Sequence, residues 1–151
     1  MKITINKKIS FNKDSRPYIV AEISGNHNGS KKLFLKHIRE AHKNGADMIK
    51  IQTYEPDDIT IKNTKLDTKI KKGIWKGKNL WDLYNKAQTP FAWHADAFKL
   101  AKKLKITLFS TPFSIRALKF LKKFNPKIYK ISSFEITDFN LINEIAKTKK
   151  P

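Results

Sequence analysis

Cysteine is absent from the 151 residues, which excludes a disulfide framework and thiolate metal sites. Glycine occurs 5 times and proline 6 times, too rarely for a collagen-like or low-complexity chain. No apolar run approaches the roughly 20 residues that a membrane-spanning helix requires. The stretch from Met1 to Asp14 also lacks the apolar block of a signal peptide, so a cytoplasmic location is expected and no membrane partner. Acidic residues are scarce: 13 Asp plus Glu stand against 32 Lys plus Arg, for a net charge of +19. A lysine-rich nucleic-acid-binding module is therefore one alternative. Arginine is nearly missing too, with only Arg16, Arg39 and Arg116. Phosphate and base recognition leans on arginine's bidentate fork. The lysines are scattered over helix faces away from the apolar stripes, and the charge reads as a solvated surface before it reads as a nucleic-acid interface.

What the chain does have is a periodic pattern with 40% hydrophobic residues, enough for one core. Residues Lys2–Asn6 and Lys8–Phe11 alternate with period two and predict a hairpin within residues 1–14. From residue 15 to 151 a strand–helix rhythm takes over. Strands are predicted at Tyr18–Ile23, Met48–Gln52, Ile106–Ser110 and Ile128–Ser132. Helices follow them, capped by Ser30, by Thr89 with Pro90 in the first turn, by Ser114 and by Asp138. A long insertion runs from Thr53 to Gln88 and holds a short helical stretch at Leu80–Tyr84. Four strand–helix units in series imply an α/β fold with a parallel sheet, half of an eightfold TIM barrel. The alternative is a complete small domain with an open four-stranded sheet.

Polar residues fall where these strands end, which is where such barrels carry their chemistry. The first strand ends at Glu22, and the second carries Lys50 and Gln52 on one face. The third ends at Ser110-Thr111, and the fourth carries Lys130, then Ser132, Ser133 and Glu135. Burying one lysine in a strand is costly without a partner. Two of them, Lys50 and Lys130, point to a shared anionic ligand; the plainer reading is internal pairing of Glu22 with Lys50 and Glu135 with Lys130. Lysines with hydroxyls suit a phosphate- and carboxylate-bearing molecule, and the carboxylates suit sugar hydroxyls or proton transfer. The loop Ser24–Ser30 either presents backbone N–H groups to an anion or forms a tight turn with a left-handed Asn or His. His27 stays a possible site residue, while His37, His42 and His94 read as packing or surface residues.

Four motifs now carry a resemblance: Tyr18–Gly29 (YIVAEISGNHNG), Gly45–Tyr54 (GADMIKIQTY), Phe109–Phe113 (FSTPF) and Tyr129–Glu135 (YKISSFE). In this order the chain resembles the sialic acid (nonulosonate) synthases along essentially its whole length. Leu80–Tyr84 followed by Thr89–His94 resembles the pseudaminic acid synthases most, with N-acetylneuraminate synthases as the other branch. The resemblance implies condensation of phosphoenolpyruvate with an N-acetylated hexose and release of phosphate. It implies a TIM barrel followed by an antifreeze-like domain, a homodimer, and a divalent ion such as Mn2+ or Mg2+. By that likeness Lys50, Thr111, Lys130 and Ser133 hold phosphoenolpyruvate. Gln52 and Glu135 face the sugar, Glu22 lies by the reacting atoms, and Asn26 and Tyr54 are further substrate-binding candidates. The catalytic set is then Glu22, Lys50, Gln52 and Glu135. The family's metal-binding histidines match none of His27, His37, His42 or His94, so no metal ligand is expected among these 151 residues. The chain reads as a barrel's first half without the second half or the antifreeze-like domain. Another outcome is an inactive fragment that associates through its open edges.

Overall fold

A computed structural model of the chain describes residues 2–6, 8–62 and 69–151. Strands β1 (Ile3–Thr4) and β2 (Ser10–Phe11) pair antiparallel as a hairpin. Its turn is set by Asn6, whose side-chain oxygen accepts the N–H groups of Lys8 at 2.8 Å and Ile9 at 3.0 Å. Strands β3 (Val20–Glu22), β4 (Met48–Thr53) and β5 (Thr107–Pro112) form a parallel sheet in that order. Register places Glu22 beside Lys50, Lys50 beside Phe109, and Gln52 beside Thr111.

Helix α1 (Lys31–Lys43) returns the chain from β3 to β4. Ser30 caps it by accepting the Leu33 N–H at 3.2 Å, and Phe34 and Ile38 bury its apolar stripe. Its end is forced by Gly45, which stands at φ +83°. There Gly45 N–H reaches the His42 carbonyl at 3.2 Å and Ala46 N–H the Ala41 carbonyl at 3.0 Å, the paired bonds of a Schellman stop. Helices α2 (Leu80–Ala87) and α3 (Phe91–Leu104) lie between β4 and β5. Helices α4 (Ile115–Lys122) and α5 (Phe139–Ala146) follow β5.

The core lies between the sheet's outer face and these helices. Ile49 and Ile51 of β4 and Leu108 of β5 pack on Phe34, Ile38, Ala97 and Ala101. A fully buried side chain of this size contributes about 1.5–3 kcal/mol. A second cluster joins Tyr129 to Leu118, Leu121, Leu141 and Ile145. The hairpin seals the N-terminal end of the sheet: Ile5 and Ile9 pack on Met48 and Phe109, and the Asn6 amide donates to the Thr107 hydroxyl at 2.7 Å. The hairpin thus closes one end of the inner face, and the strands finish at the other. Among the described residues no helix is long and apolar enough to cross a membrane.

Three expectations are corrected. The fourth strand at 128–132 does not form. Ser110 and Tyr129 share one parallel bridge, Lys130 N–H donates to the Ser110 carbonyl at 3.3 Å, and Tyr129 N–H turns to the Pro151 carbonyl at 3.0 Å. No strand flanks the segment's far side among the described residues, and the turn at Ser132–Glu135 pulls it off β5 before a ladder builds. Thr89 is not the cap of α3; Pro90 is, because Thr89 points inward, buried, its hydroxyl without a hydrogen-bond partner. The first strand starts at Val20 rather than Tyr18, whose hydroxyl donates back to the Ser10 carbonyl at 3.2 Å.

Candidate active site

Alternation along the strands sorts their side chains. On β4, Ile49, Ile51 and Thr53 turn to the helices, while Lys50 and Gln52 stand half-buried on the inner face. The register adds Glu22 and Phe109 beside Lys50 and Thr111 beside Gln52. Lys50 Nζ forms an ion pair with Glu22. The same Glu22 carboxylate accepts the Ser24 N–H at 3.1 Å and the Ser24 hydroxyl at 3.0 Å, which fix its orientation. Burial, and behind it the like charge of Lys130, push the Lys50 ammonium below its ordinary value. The two lysines, 80 positions apart in sequence, therefore sense each other across this face.

Lys130 makes no salt bridge among the described residues; the alternative of its pairing with Glu135 reduces to a Coulombic contact. Glu135 is buried and takes the Ser132 hydroxyl instead. Burial raises its carboxyl above the usual range, and Lys130 draws it partly back. Ser133 is exposed, so on this turn Ser132 is the hydroxyl at the carboxylate. Thr111 is 1% exposed and its hydroxyl has no hydrogen-bond partner among the described residues. A buried unsatisfied hydroxyl is costly, and its place beside Gln52 is where a bound oxygen would satisfy it.

The sequence profile of the NeuB family matches residues 37–151. The chain belongs to the NeuB family. This NeuB-family chain is 48% identical over 142 residues to a pseudaminic acid synthase of Campylobacter jejuni, covering 94% of the chain and 41% of that protein. It is 47% identical over 136 residues to a pseudaminic acid synthase of Helicobacter pylori, covering 89% of the chain and 40% of that protein. An N-acetylneuraminic acid synthetase of Leptospira borgpetersenii superposes with TM-score 0.81 at 26% identity, over 98% of this chain and 47% of that one. The chain thus spans about two fifths of the length of the curated relatives it matches.

Two further candidates of the NeuB-family chain are engaged in its own fold. The Asn26 amide donates to the Ile23 carbonyl at 2.9 Å and fixes the loop after β3. That loop is the tight-turn alternative rather than an anion cradle. Asn28 is left-handed at φ +48°, Gly29 N–H is taken by His27 Nδ1 at 3.1 Å, and Ser30 N–H by the His27 carbonyl at 2.8 Å. Tyr54 is buried edge-on between Tyr84 and Phe113, and burial pushes its hydroxyl up to about 12. Its hydroxyl points at the Tyr84 carbonyl, 3.5 Å away, which makes it an anchor for α2.

Sequence reasoning missed a buried network behind the inner face. His94 Nδ1 lies 3.2 Å from the Pro90 carbonyl, which only accepts, so that nitrogen carries the proton. Nε2 then accepts from the Thr53 hydroxyl at 2.8 Å, and Thr53 in turn meets Ser110 at 2.7 Å. The set ties the ends of β4 and β5 to α3, directly behind Gln52 and Thr111. Arg116 was missed as well: it pairs with Glu55 and, at 3.0 Å, with Asp58, tying the loop after β4 to α4. Its signal, a lone arginine at a helix start in a lysine-rich chain, is visible only in retrospect.

The divalent ion implied by the resemblance has no ligand set here. No three His, Asp or Glu side chains converge among the described residues. His94 is engaged at both nitrogens, and His27 is buried against Phe34 and Trp93.

Proposed function

We propose that this chain is the first half of the barrel of a pseudaminic-acid-type synthase. The reaction condenses phosphoenolpyruvate with an N-acetylated hexose into a nine-carbon, sialic-acid-like sugar and releases phosphate. The identity of 48% to a pseudaminic acid synthase over nearly the whole chain carries this reading. The paired lysines of the inner face support it, because phosphoenolpyruvate presents both a carboxylate and a phosphate.

In this reading Lys50 and Lys130, with the Thr111 hydroxyl, hold the two anionic groups and so fix the enol carbon near the sugar aldehyde. C3 of phosphoenolpyruvate bonds to the aldehyde carbon, C2 becomes electron-poor, water adds there, and the C–O bond to phosphate breaks. Glu22, oriented by Lys50 and Ser24, takes the water's proton or steadies the positive carbon. Glu135 and Gln52 orient the sugar.

Phosphoenolpyruvate titrated into the chain, followed by amide chemical shifts, tests the assignment. Shifts clustered at Lys50, Thr111 and Lys130, lost in both Lys50→Ala and Lys130→Ala, are expected. Unchanged affinity in both variants removes these lysines from the site. Affinity is expected to be weak and phosphate release absent for the 151 residues alone, since relatives of this length-share supply further chain.

A further inference from the structure

We propose that the groove between α3 and the turn that follows α4 binds an acyl chain ending in a carboxylate, at the end of the sheet opposite Thr111. This site is separate from the strand-end site and does not depend on how that site is read.

A cavity of about 690 Å³ opens in this groove, a size suited to one small ligand. Its floor is apolar and includes Phe98 and Ala101 of α3, Leu108 of β5, and Phe124 beyond α4. The Phe98 and Phe124 rings stack at 4.8 Å and 3° and are only half-buried, so they offer apolar surface to an occupant.

The rim is basic. Lys99, Lys102 and Lys105 recur every third residue along one wall, and Lys127 stands on the other. All four are exposed, and none makes a salt bridge among the described residues. No Asp or Glu borders the cavity among the described residues. Asp96, whose charge senses Lys99, is held by Lys31. Lys102 and Lys105 also suit the C-terminal end of a helix, but Lys127 belongs to the opposite wall.

Lys105 supplies a second observation. It stands at φ +56° and ψ +32°, the left-handed conformation that glycine adopts without strain. Gly45 fills the corresponding need at the end of α1. A lysine kept at such a stop, on the rim of a cavity, points to a use for its side chain.

Other polar groups along the cavity are already engaged. The Asn6 amide donates to Thr107, the Asn6 oxygen accepts the Lys8 and Ile9 N–H groups, and the Asn125 oxygen accepts the Lys150 ammonium. An occupant therefore gains from apolar burial and from negative charge. A nucleobase carries hydrogen-bonding edges that would lie unpaired on this floor, whereas an acyl tail carries none.

Octanoate titrated into the chain and followed by amide chemical shifts tests the proposal, with 1-octanol as the uncharged tail and acetate as the charge without a tail. Saturable shifts at Phe98, Ala101, Leu108 and Phe124 are expected for octanoate. Octanol is expected to bind there about fivefold more weakly, and acetate not to saturate. Lys105→Gly separates charge from structure: the unfolding midpoint is expected to rise as the strain is relieved, while octanoate affinity falls about threefold and octanol affinity stays within about twofold. A second variant, Lys99→Gln with Lys102→Gln, is expected to bring octanoate within about twofold of octanol, and circular dichroism checks the fold of both. Excess phosphoenolpyruvate is expected to leave octanoate affinity unchanged. Equal affinities for octanoate and octanol overturn the proposal, as do shifts confined to residues 131–139, octanoate affinity unmoved in both variants, or competition by phosphoenolpyruvate. Phosphatidylglycerol vesicles or a Glu-rich amphipathic peptide shifting these amides where octanoate does not would overturn it in favour of a membrane or protein contact.

Discussion

The Thr53 hydroxyl donates to His94 Nε2 over 2.8 Å from the helix side of the strand whose other side carries Gln52. Burial holds the His94 imidazole down at about 4, against an unfolded value near 6.5. The unfolded chain therefore binds a proton that the folded chain does not. The stabilisation is complete above about pH 6.5 and is lost as pH falls toward 4, by roughly 3 kcal/mol in all. Urea midpoints measured at pH 7 and pH 4.5 in the wild type and in His94→Gln check this. The wild type is expected to lose more stability over that interval than the variant; equal losses would refute it.

Gly25 packs against α2 so closely that an added Cβ would stand 2.8 Å from the Ala87 carbonyl oxygen. The Ala87 Cβ and Cα follow at 3.0 and 3.2 Å, and none of these three atoms can swing aside. Gly25→Ala is expected to cost about 1–3 kcal/mol, with hydrogen exchange accelerated in α2 and in the loop after β3. Wild-type protection in both segments would count against the tight approach.

Arg116 joins Glu55 and Asp58 from a half-exposed position where solvent screens the pairs, although the Asp58 side chain itself is only 8% exposed. Arg116→Ala is expected to leave the unfolding midpoint nearly unchanged while amides 55–60 exchange several-fold faster. Uniform destabilisation without a local change would argue against a clamp.

The sheet has two unpaired edges among the described residues, at β3 and beside Tyr129. Ile131, Phe134, Ile136 and Phe139 stand exposed next to the second edge, with Phe134 at 72%. Such edges with apolar surroundings favour association. The purified chain is expected to sediment as an oligomer or to aggregate with rising concentration. A sharp, concentration-independent monomer peak in analytical ultracentrifugation would overturn that.

Helices were the most legible elements, because a capping Ser or Asp and a 3.6-residue apolar period act locally. Ser30, Ser114 and Asp138 each take the N–H three residues on. The misplaced start of α3 shows the limit: Thr89 is a good cap by type, but the core claims its side chain. The strand at 128–132 has the right residues and lacks a second neighbour, a tertiary condition that its own composition does not encode. At the site, alternation alone put Lys50 and Gln52 together. That Ser132 meets the Glu135 carboxylate follows from the turn; Asn26 folds back on Ile23 three residues away, whereas Tyr54 is held by Tyr84 and Phe113, distant in sequence. The His94 network joins residues 53, 94 and 110, and no short motif holds that triangle.

The hairpin that closes the bottom of the sheet begins at residue 3, yet it rests on Met48, Thr107 and Phe109. During synthesis it leaves the ribosome before the strands it rests on and must wait about 100 residues for its seat, a delay that loop-closure entropy also imposes on refolding. Until β5 is made, Ile5 and Ile9 have nowhere to hide. These residues are thus among the last to settle, and they close the end of the sheet opposite Glu22, Gln52 and Thr111.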